Sequence, residues 1–179
     1  MRRKVSSSLR DSLVAEMGSL RAFAVSLCGD KERADDLVQE TLLKAWNHLD
    51  SFQEVTNLRA WLFTILRNTY FSERRKRRRE VEDADGTYAA RLATQPAQHG
   101  HMDMQDFRAA LVRLPDDQRE ALVLVGAAGF SYEEAAEICG CAVGTIKSRV
   151  NRARNRLAGM LGLEELESDL GSQGLSKTA

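Results

Sequence analysis

Between Cys139 and Gly162 the chain holds no carboxylate, while Lys147, Arg149, Arg152, Arg154 and Arg156 stand among Ser148, Asn151 and Asn155. Cations mixed with neutral hydrogen-bonding side chains have the chemistry of duplex reading. Guanidinium and ammonium groups meet phosphates, and Lys, Arg, Asn and Ser reach base edges. The spacing sorts them. Wound at about 100° per residue, Ile146, Val150, Ala153 and Leu157 fall on one narrow apolar stripe. Lys147, Ser148, Asn151, Arg152 and Asn155 face the opposite way, flanked by Arg149, Arg154 and Arg156. A merely solvated face usually mixes charge signs, and this one does not. The candidate duplex-contacting residues are therefore Lys147, Ser148, Arg149, Asn151, Arg152 and Arg154.

Two further sets have chemical possibilities. In a helix predicted over residues 31–49, Ala34, Val38, Leu42, Ala45 and Leu49 look inward, and Asp36, Gln39, Glu40 and Leu43 look outward. An acid-and-amide face with one apolar member suits a partner that presents arginine and apolar side chains; an ordinary solvated face fits the periodicity equally well. Next come Phe52 and Val55 in a loop over residues 50–57, and a helix over residues 58–74 with Asn57 as its N-cap. Leu58, Trp61, Leu62, Ile65, Leu66 and Thr69 form its inner arc, with Arg59, Phe63, Arg67, Tyr70 and Phe71 opposite or on the flank. Aromatics interleaved with arginines make a stacking platform for single-stranded nucleic acid. Bundle packing is the better reading of Phe63; for Tyr70 the two readings stand level. Residues 74–79 are all basic, opening with Arg74 and Arg75, and phosphate contact explains that density better than a cation effect at a helix C-terminus.

The elements that must hold these side chains can be read from punctuation and period. Ser131 with Glu134 three residues on is a capping box, and Gly140, Cys141 and Ala142 form a turn of small residues. Ala135, Ala136 and Ile138 offer a compact face for a crossing helix, so residues 131–157 predict a helix-turn-helix. At the other end, Leu9, Leu13, Met17, Leu20, Ala24 and Leu27 recur at helical spacing up to Cys28 and Gly29, and Asp30 caps the next helix. Residues 80–103 turn acidic and then small-residue-rich, with Pro96 and Gly100, which predicts a linker with at most a short helix over 88–92. A helix over 106–114 follows, then Pro115, Asp116 and Asp117 open one over 116–125 that stops at Gly126 and Gly129. Past Leu163 the pattern is lost. Pro is scarce and no Val/Ile/Thr alternation is long enough for a strand. The expected fold is all-α: helical domains at residues 8–79 and 104–163, a flexible linker at 80–103 and a tail at 164–179.

Composition narrows the classes of function. With 179 residues and 43% hydrophobic content the chain can bury a core. Its 26 basic and 26 acidic residues cancel overall yet are sorted into basic blocks at 74–79 and 147–156 and acidic stretches at 80–85 and 164–169, so neutrality hides two local nucleic-acid footprints. Three cysteines, an odd number with Cys139 and Cys141 too close for an ordinary disulfide, fit a reducing compartment. Distant His48, His99 and His101 supply no second ligand pair, so neither a metal nor another cofactor is expected and the cysteines read as packing residues. No phosphate-binding glycine loop, HExxH or nucleophile with a base appears, which argues against an enzyme. No apolar run reaches the length of a bilayer span, and Met1-Arg-Arg-Lys leads into polar serines, so a soluble intracellular chain with no membrane partner is expected.

Taken in order, these stretches resemble the extracytoplasmic-function sigma factors, a family with two helical domains called region 2 and region 4. DDLVQETLLKAW at residues 35–46 is similar to its core-polymerase-binding motif, and AVGTIKSRVNRAR at 142–154 to its recognition helix. Residues 129–157 further resemble the EcfG-like general stress response group. The resemblance implies that Asp36, Gln39, Glu40 and Leu43 meet the clamp helices of the largest RNA polymerase subunit, with the flap as a second contact. It implies that Lys147, Ser148, Arg149, Asn151, Arg152 and Arg154 take the minus-thirty-five element. Phe52, Asn57, Arg59, Arg67, Tyr70, Arg74 and Arg75 would take the minus-ten element, with an unstacked base captured in a pocket. It also implies an anti-sigma protein wedged against the apolar inner surfaces of the two domains, overlapping residues 36–43. Fewer aromatics than primary sigma factors carry would make the chain strictly dependent on a good promoter. The alternatives are a stand-alone helix-turn-helix regulator of duplex DNA, which has no use for DDLVQET, and a decoy for an anti-sigma factor, which has no use for the basic recognition face.

Overall fold

The computed structural model describes residues 7–49, 57–83 and 104–162; Phe52 and Val55, the linker segment 84–103 with its expected short helix, and the tail from residue 163 lie outside them. The described residues form seven helices: α1 (Ser7–Cys28), α2 (Lys31–Asn47), α3 (Leu58–Asp83), α4 (Met104–Arg113), α5 (Asp116–Gly126), α6 (Tyr132–Cys139) and α7 (Val143–Leu161).

Local chemistry sets most of the boundaries. α1 stops at Gly29, whose φ of 71° is open to glycine at little cost. Asp30 caps α2 by accepting from the Arg33 N–H at 2.9 Å, and Asn57 caps α3 by accepting from the Ala60 N–H at 3.2 Å. α3 runs well beyond residue 74, through the basic block to Asp83. No Gly or Pro interrupts residues 58–83, and the pairs Arg77–Glu73 and Lys76–Glu80, each 3.8 Å apart, offset some of the repulsion between like charges. α2 ends at Asn47 rather than Leu49, where His48 serves as its C-cap.

α1, α2 and α3 pack as one module, and α4 to α7 as another. The inner faces are broader than the predicted stripes. α2 buries Leu37 and Thr41 as well as Ala34, Val38 and Ala45, with the Thr41 hydroxyl donating to the Leu37 carbonyl at 2.7 Å. Leu42 and Leu49 are only half-buried, and in α1 Phe23 is buried while Met17 is exposed.

The modules also dock on each other, which no periodicity foretold: α4 and α5 lie on α1, and α6 lies on α3. Their cores merge through aromatics. Phe23 stacks on Phe63 with ring centroids 5.0 Å apart, and Phe63 meets Phe130 of the second module edge-on at 4.9 Å. Phe63 is thus a core residue, wholly buried.

Candidate nucleic-acid and polymerase interfaces

The α7 face is built from the turn upward. Ser131 accepts from the Glu134 N–H at 3.1 Å while the Glu134 carboxylate accepts from the Ser131 N–H at 2.9 Å, completing the capping box. That backbone hydrogen bond, more than the Ser131 hydroxyl or Asn57, holds the Glu134 carboxyl below its ordinary range. Gly140 then turns the chain with φ 63°, and α7 crosses α6 with Ile146, Val150, Ala153 and Leu157 buried. Lys147, Asn151 and Arg152 are exposed on the other side, and Ser148 is half-buried. The Lys147 ammonium lies 5.8 Å from the centre of the Tyr132 ring. Arg154 and Arg156 are exposed. Arg149 departs from the expected outward arrangement: its Nε is 3.2 Å from Asp117 and its Nη1 3.7 Å from the buried Glu120, so its charge is turned onto its own domain.

On α2, Asp36, Gln39 and Leu43 are exposed, Leu43 by 65%. Glu40 is half-buried and lies 2.7 Å from Lys44, whose hydrogen bond holds its carboxyl below the usual range. Neighbouring Glu73 moves the other way, raised first by burial and then by its hydrogen bond with Glu40. Asp35 is drawn aside by a two-point contact from Arg21 at 2.6 and 2.8 Å. Trp46, 47% exposed and three residues past Leu43, enlarges the apolar part of this face; the predicted periodicity passed it over.

The third set is not an open platform, because the second module sits on it. The Arg67 guanidinium donates twice to Glu120, at 2.8 and 3.2 Å. Arg59 donates to the Ala128 carbonyl at 2.8 Å and lies 5.0 Å from the centre of the Phe130 ring. Its Nε is 3.2 Å from Glu16, an ion pair without hydrogen-bond alignment. Arg74 pairs with Asp116. Tyr70 is buried, its hydroxyl donating to the Leu27 carbonyl of α1 at 3.0 Å, so its ring is not on an outer face. Asn57 and Arg75 remain exposed; the Asn57 amide donates to Glu134 at 3.0 Å, and Arg75 to Ser72 at 3.1 Å.

Sequence reasoning missed the groups that make this contact. Arg119 is 3% exposed and donates to the carbonyls of Val112 and Leu27 at 2.7 and 3.0 Å, joining the Tyr70 hydroxyl on the Leu27 carbonyl at the end of α1. Glu120 is 1% exposed; burial pushes its carboxyl above the ordinary range, with Arg67 and then Arg149 pulling it back. One signal was available. Residues 121–125 are apolar without interruption, so α5 has no wholly polar side, and the Gln118, Arg119 and Glu120 turn before them had to be enclosed too.

Residues 13–80 match the sigma-70 region 2 family and residues 104–157 match sigma-70 region 4. The fold and these two matches define a two-module transcription initiation factor of the sigma-70 class. The ECF RNA polymerase sigma factor EcfG of Rhodopseudomonas palustris (strain TIE-1) is 64% identical over 163 residues, covering 91% of this chain and 90% of that protein. The chain belongs to the extracytoplasmic-function sigma factors and is EcfG-like; it binds RNA polymerase core and directs promoter-specific initiation. More distantly, the ECF sigma factor SigC of Mycobacterium tuberculosis (strain CDC 1551 / Oshkosh) is 37% identical over 134 residues, 74% of this chain and 72% of that one. Among solved structures, the sigma factor RpoE in complex with the anti-sigma factor NepR from Bartonella quintana superposes with a TM-score of 0.77 at 56% identity, covering 88% of this chain and 98% of that chain. The family is one of initiation factors rather than enzymes.

Proposed function

We propose that Lys147, Ser148, Asn151 and Arg152 read the minus-thirty-five element, with Arg154 on flanking phosphate, and that Asp36, Gln39, Glu40 and Leu43 meet the polymerase clamp helices. The observation that carries this reading is the α7 face, cationic and free of carboxylates, exposed opposite a fully buried apolar stripe. Arg59, Arg67 and Arg74, with exposed Asn57 and Arg75, serve the minus-ten element once the modules part; Tyr70 acts from the core, by anchoring α3 to α1. Arg149 positions α7 through Asp117 and Glu120.

An anti-sigma protein holds the chain in check by laying the apolar face of a helix in the groove of about 760 Å³ between α1, α4, α5 and α7, where Phe23, Phe107, Leu111, Leu122, Leu157 and Leu161 converge. The solved relative bound to NepR supports that class of partner. The EcfG likeness supports a role in a general stress response, and acting on RNA polymerase fits a cytoplasmic protein; no helix among the described residues is long and apolar enough to cross a membrane. A stand-alone regulator would leave the exposed Asp36, Gln39 and Leu43 face without a use.

Run-off transcription with purified core polymerase tests the reading. Arg152→Ala is expected to cost about 1–3 kcal/mol and relax one minus-thirty-five position. Asp36→Ala is expected to weaken core binding while leaving the circular dichroism spectrum unchanged. Wild-type transcription by Arg152→Ala at every promoter, or undiminished core affinity in Asp36→Ala, would remove the corresponding assignment.

A further inference from the structure

A cleft of about 720 Å³ opens where α2 and α3 of the first module meet α4 and α5 of the second. Five guanidinium groups line it: Arg33 from the first turn of α2, Arg74 and Arg77 from α3, Arg113 from the end of α4 and Arg119 from α5. The one carboxylate lining it is Asp116, already shared between Arg74 and Arg119, while Glu73, outside the lining, lies 3.8 Å from Arg77; three of the five charges remain unmatched. Arg33 and Arg113 have no ion-pair partner among the described residues. The Nε of Arg119 is buried with no hydrogen-bond acceptor, although its other nitrogens are satisfied.

Guanidinium groups do not shed their protons in proteins, so this concentration of like charge persists at any physiological pH. Concave walls of low dielectric focus such a field, and the planar fork of Arg matches the oxygens of phosphate two at a time. A monoanion would leave most of the surplus charge unmatched, so the geometry favours a ligand with several phosphates in a small volume.

We propose that this cleft binds a compact polyphosphate anion, either free or as the tail of a nucleotide, and that the ligand holds the two modules docked. The second part follows from where the cations come from: three belong to the first module and two to the second. A ligand that touches both sets binds the docked arrangement and not the parted one, and therefore shifts the balance toward docking. None of this depends on which residues contact the promoter, and binding is measured on the chain without polymerase.

The test is calorimetric titration of the full chain with sodium tripolyphosphate at about 0.1 M salt, where diffuse attraction is already screened over roughly 10 Å. The expected result is one ligand per chain, with Arg33→Gln and Arg113→Gln each binding about tenfold more weakly while keeping wild-type helicity. Arg79→Gln, in the same basic block but outside the cleft, should bind as wild type does. A nucleoside triphosphate titrated in parallel separates the sources: tighter binding than tripolyphosphate assigns the site to a nucleotide, and equal binding to the phosphates alone. Small-angle scattering should show the chain contracting on saturation. The proposal is overturned if tripolyphosphate gives no saturable binding, if Arg79→Gln weakens it as much as Arg113→Gln, or if an oligoglutamate of equal charge competes equally well.

Discussion

Glu120 lies between Arg67 of the first module and Arg149 of the recognition helix, almost wholly out of water. Burying such a carboxylate is costly, and its two cations offset only part of that cost while both remain in reach. Removing the charge strands them, but both arginines keep about a fifth of their side-chain surface in solvent and can turn outward. Glu120→Gln should therefore lower stability by about 1–3 kcal/mol, seen as an earlier urea midpoint, and not by the larger loss of a fully enclosed charge. The neighbouring Cys139 gives a second residue-level test. Burial first, and then Glu120, push its thiol up to about 12, so it stays protonated near neutrality and is shielded as well. Mass spectrometry after iodoacetamide treatment at mildly alkaline pH should find Cys139 modified only when denaturant is present; rapid labelling of the native chain would mean that the contact opens freely.

At the scale of elements, the capping box makes α6, and through it the recognition helix, depend on two side chains. Ser131→Ala removes an acceptor from an otherwise orphan N–H and should cost about 1 kcal/mol in thermal or urea unfolding. The contribution from Glu134 has a definite pH sense. Its carboxyl is lower when folded than when unfolded, so this stability is fully present above the unfolded carboxylate value and is lost as pH falls through the lowered one. Glu134→Gln should accordingly approach wild-type stability as pH drops below the carboxylate range, and a gap that persists there would mean the cap works through packing instead. α7 was legible in sequence because each of its sides is chemically uniform: Ile146, Val150, Ala153 and Leu157 inside, Lys147, Asn151 and Arg152 outside. α3 was legible only in part. Leu62 and Leu66 mark the side that packs in its own bundle, but α6 covers another side, and a helix with neighbours on two sides has no single apolar stripe to reveal both. Hence Phe63, Arg67 and Tyr70, which looked outward by angle, meet Phe130, Glu120 and Arg119 of the second module. Pairing at a distance, such as Arg67 with Glu120 across 53 positions, leaves no periodic trace at all.

Over the whole molecule, docking and promoter binding draw on the same cations. Arg59 is held by Ala128 and Phe130, Arg67 by Glu120 and Arg74 by Asp116, each partner lying in the second module. In the docked chain these guanidiniums already have acceptors, and single-stranded DNA must displace them before it gains their charge. The contact is not purely ionic, since the run of Phe23, Phe63 and Phe130 ties the two cores together. Salt alone should therefore loosen the docked form without abolishing it. Weakening the ionic part by about 1.4 kcal/mol would raise the open population, and with it the apparent affinity for a minus-ten strand, by about tenfold as long as the open form stays in the minority. Glu120→Gln should thus bind a labelled single-stranded minus-ten oligonucleotide more tightly than wild type in fluorescence anisotropy, although it is the less stable protein. Arg67→Ala opens the same contact but removes a cation that the strand needs, so it should gain little or nothing. Equal affinity of wild type and Glu120→Gln would mean that the docked modules do not compete with the promoter. A gain in Arg67→Ala as large as in Glu120→Gln would mean that Arg67 serves the contact between modules and not the strand.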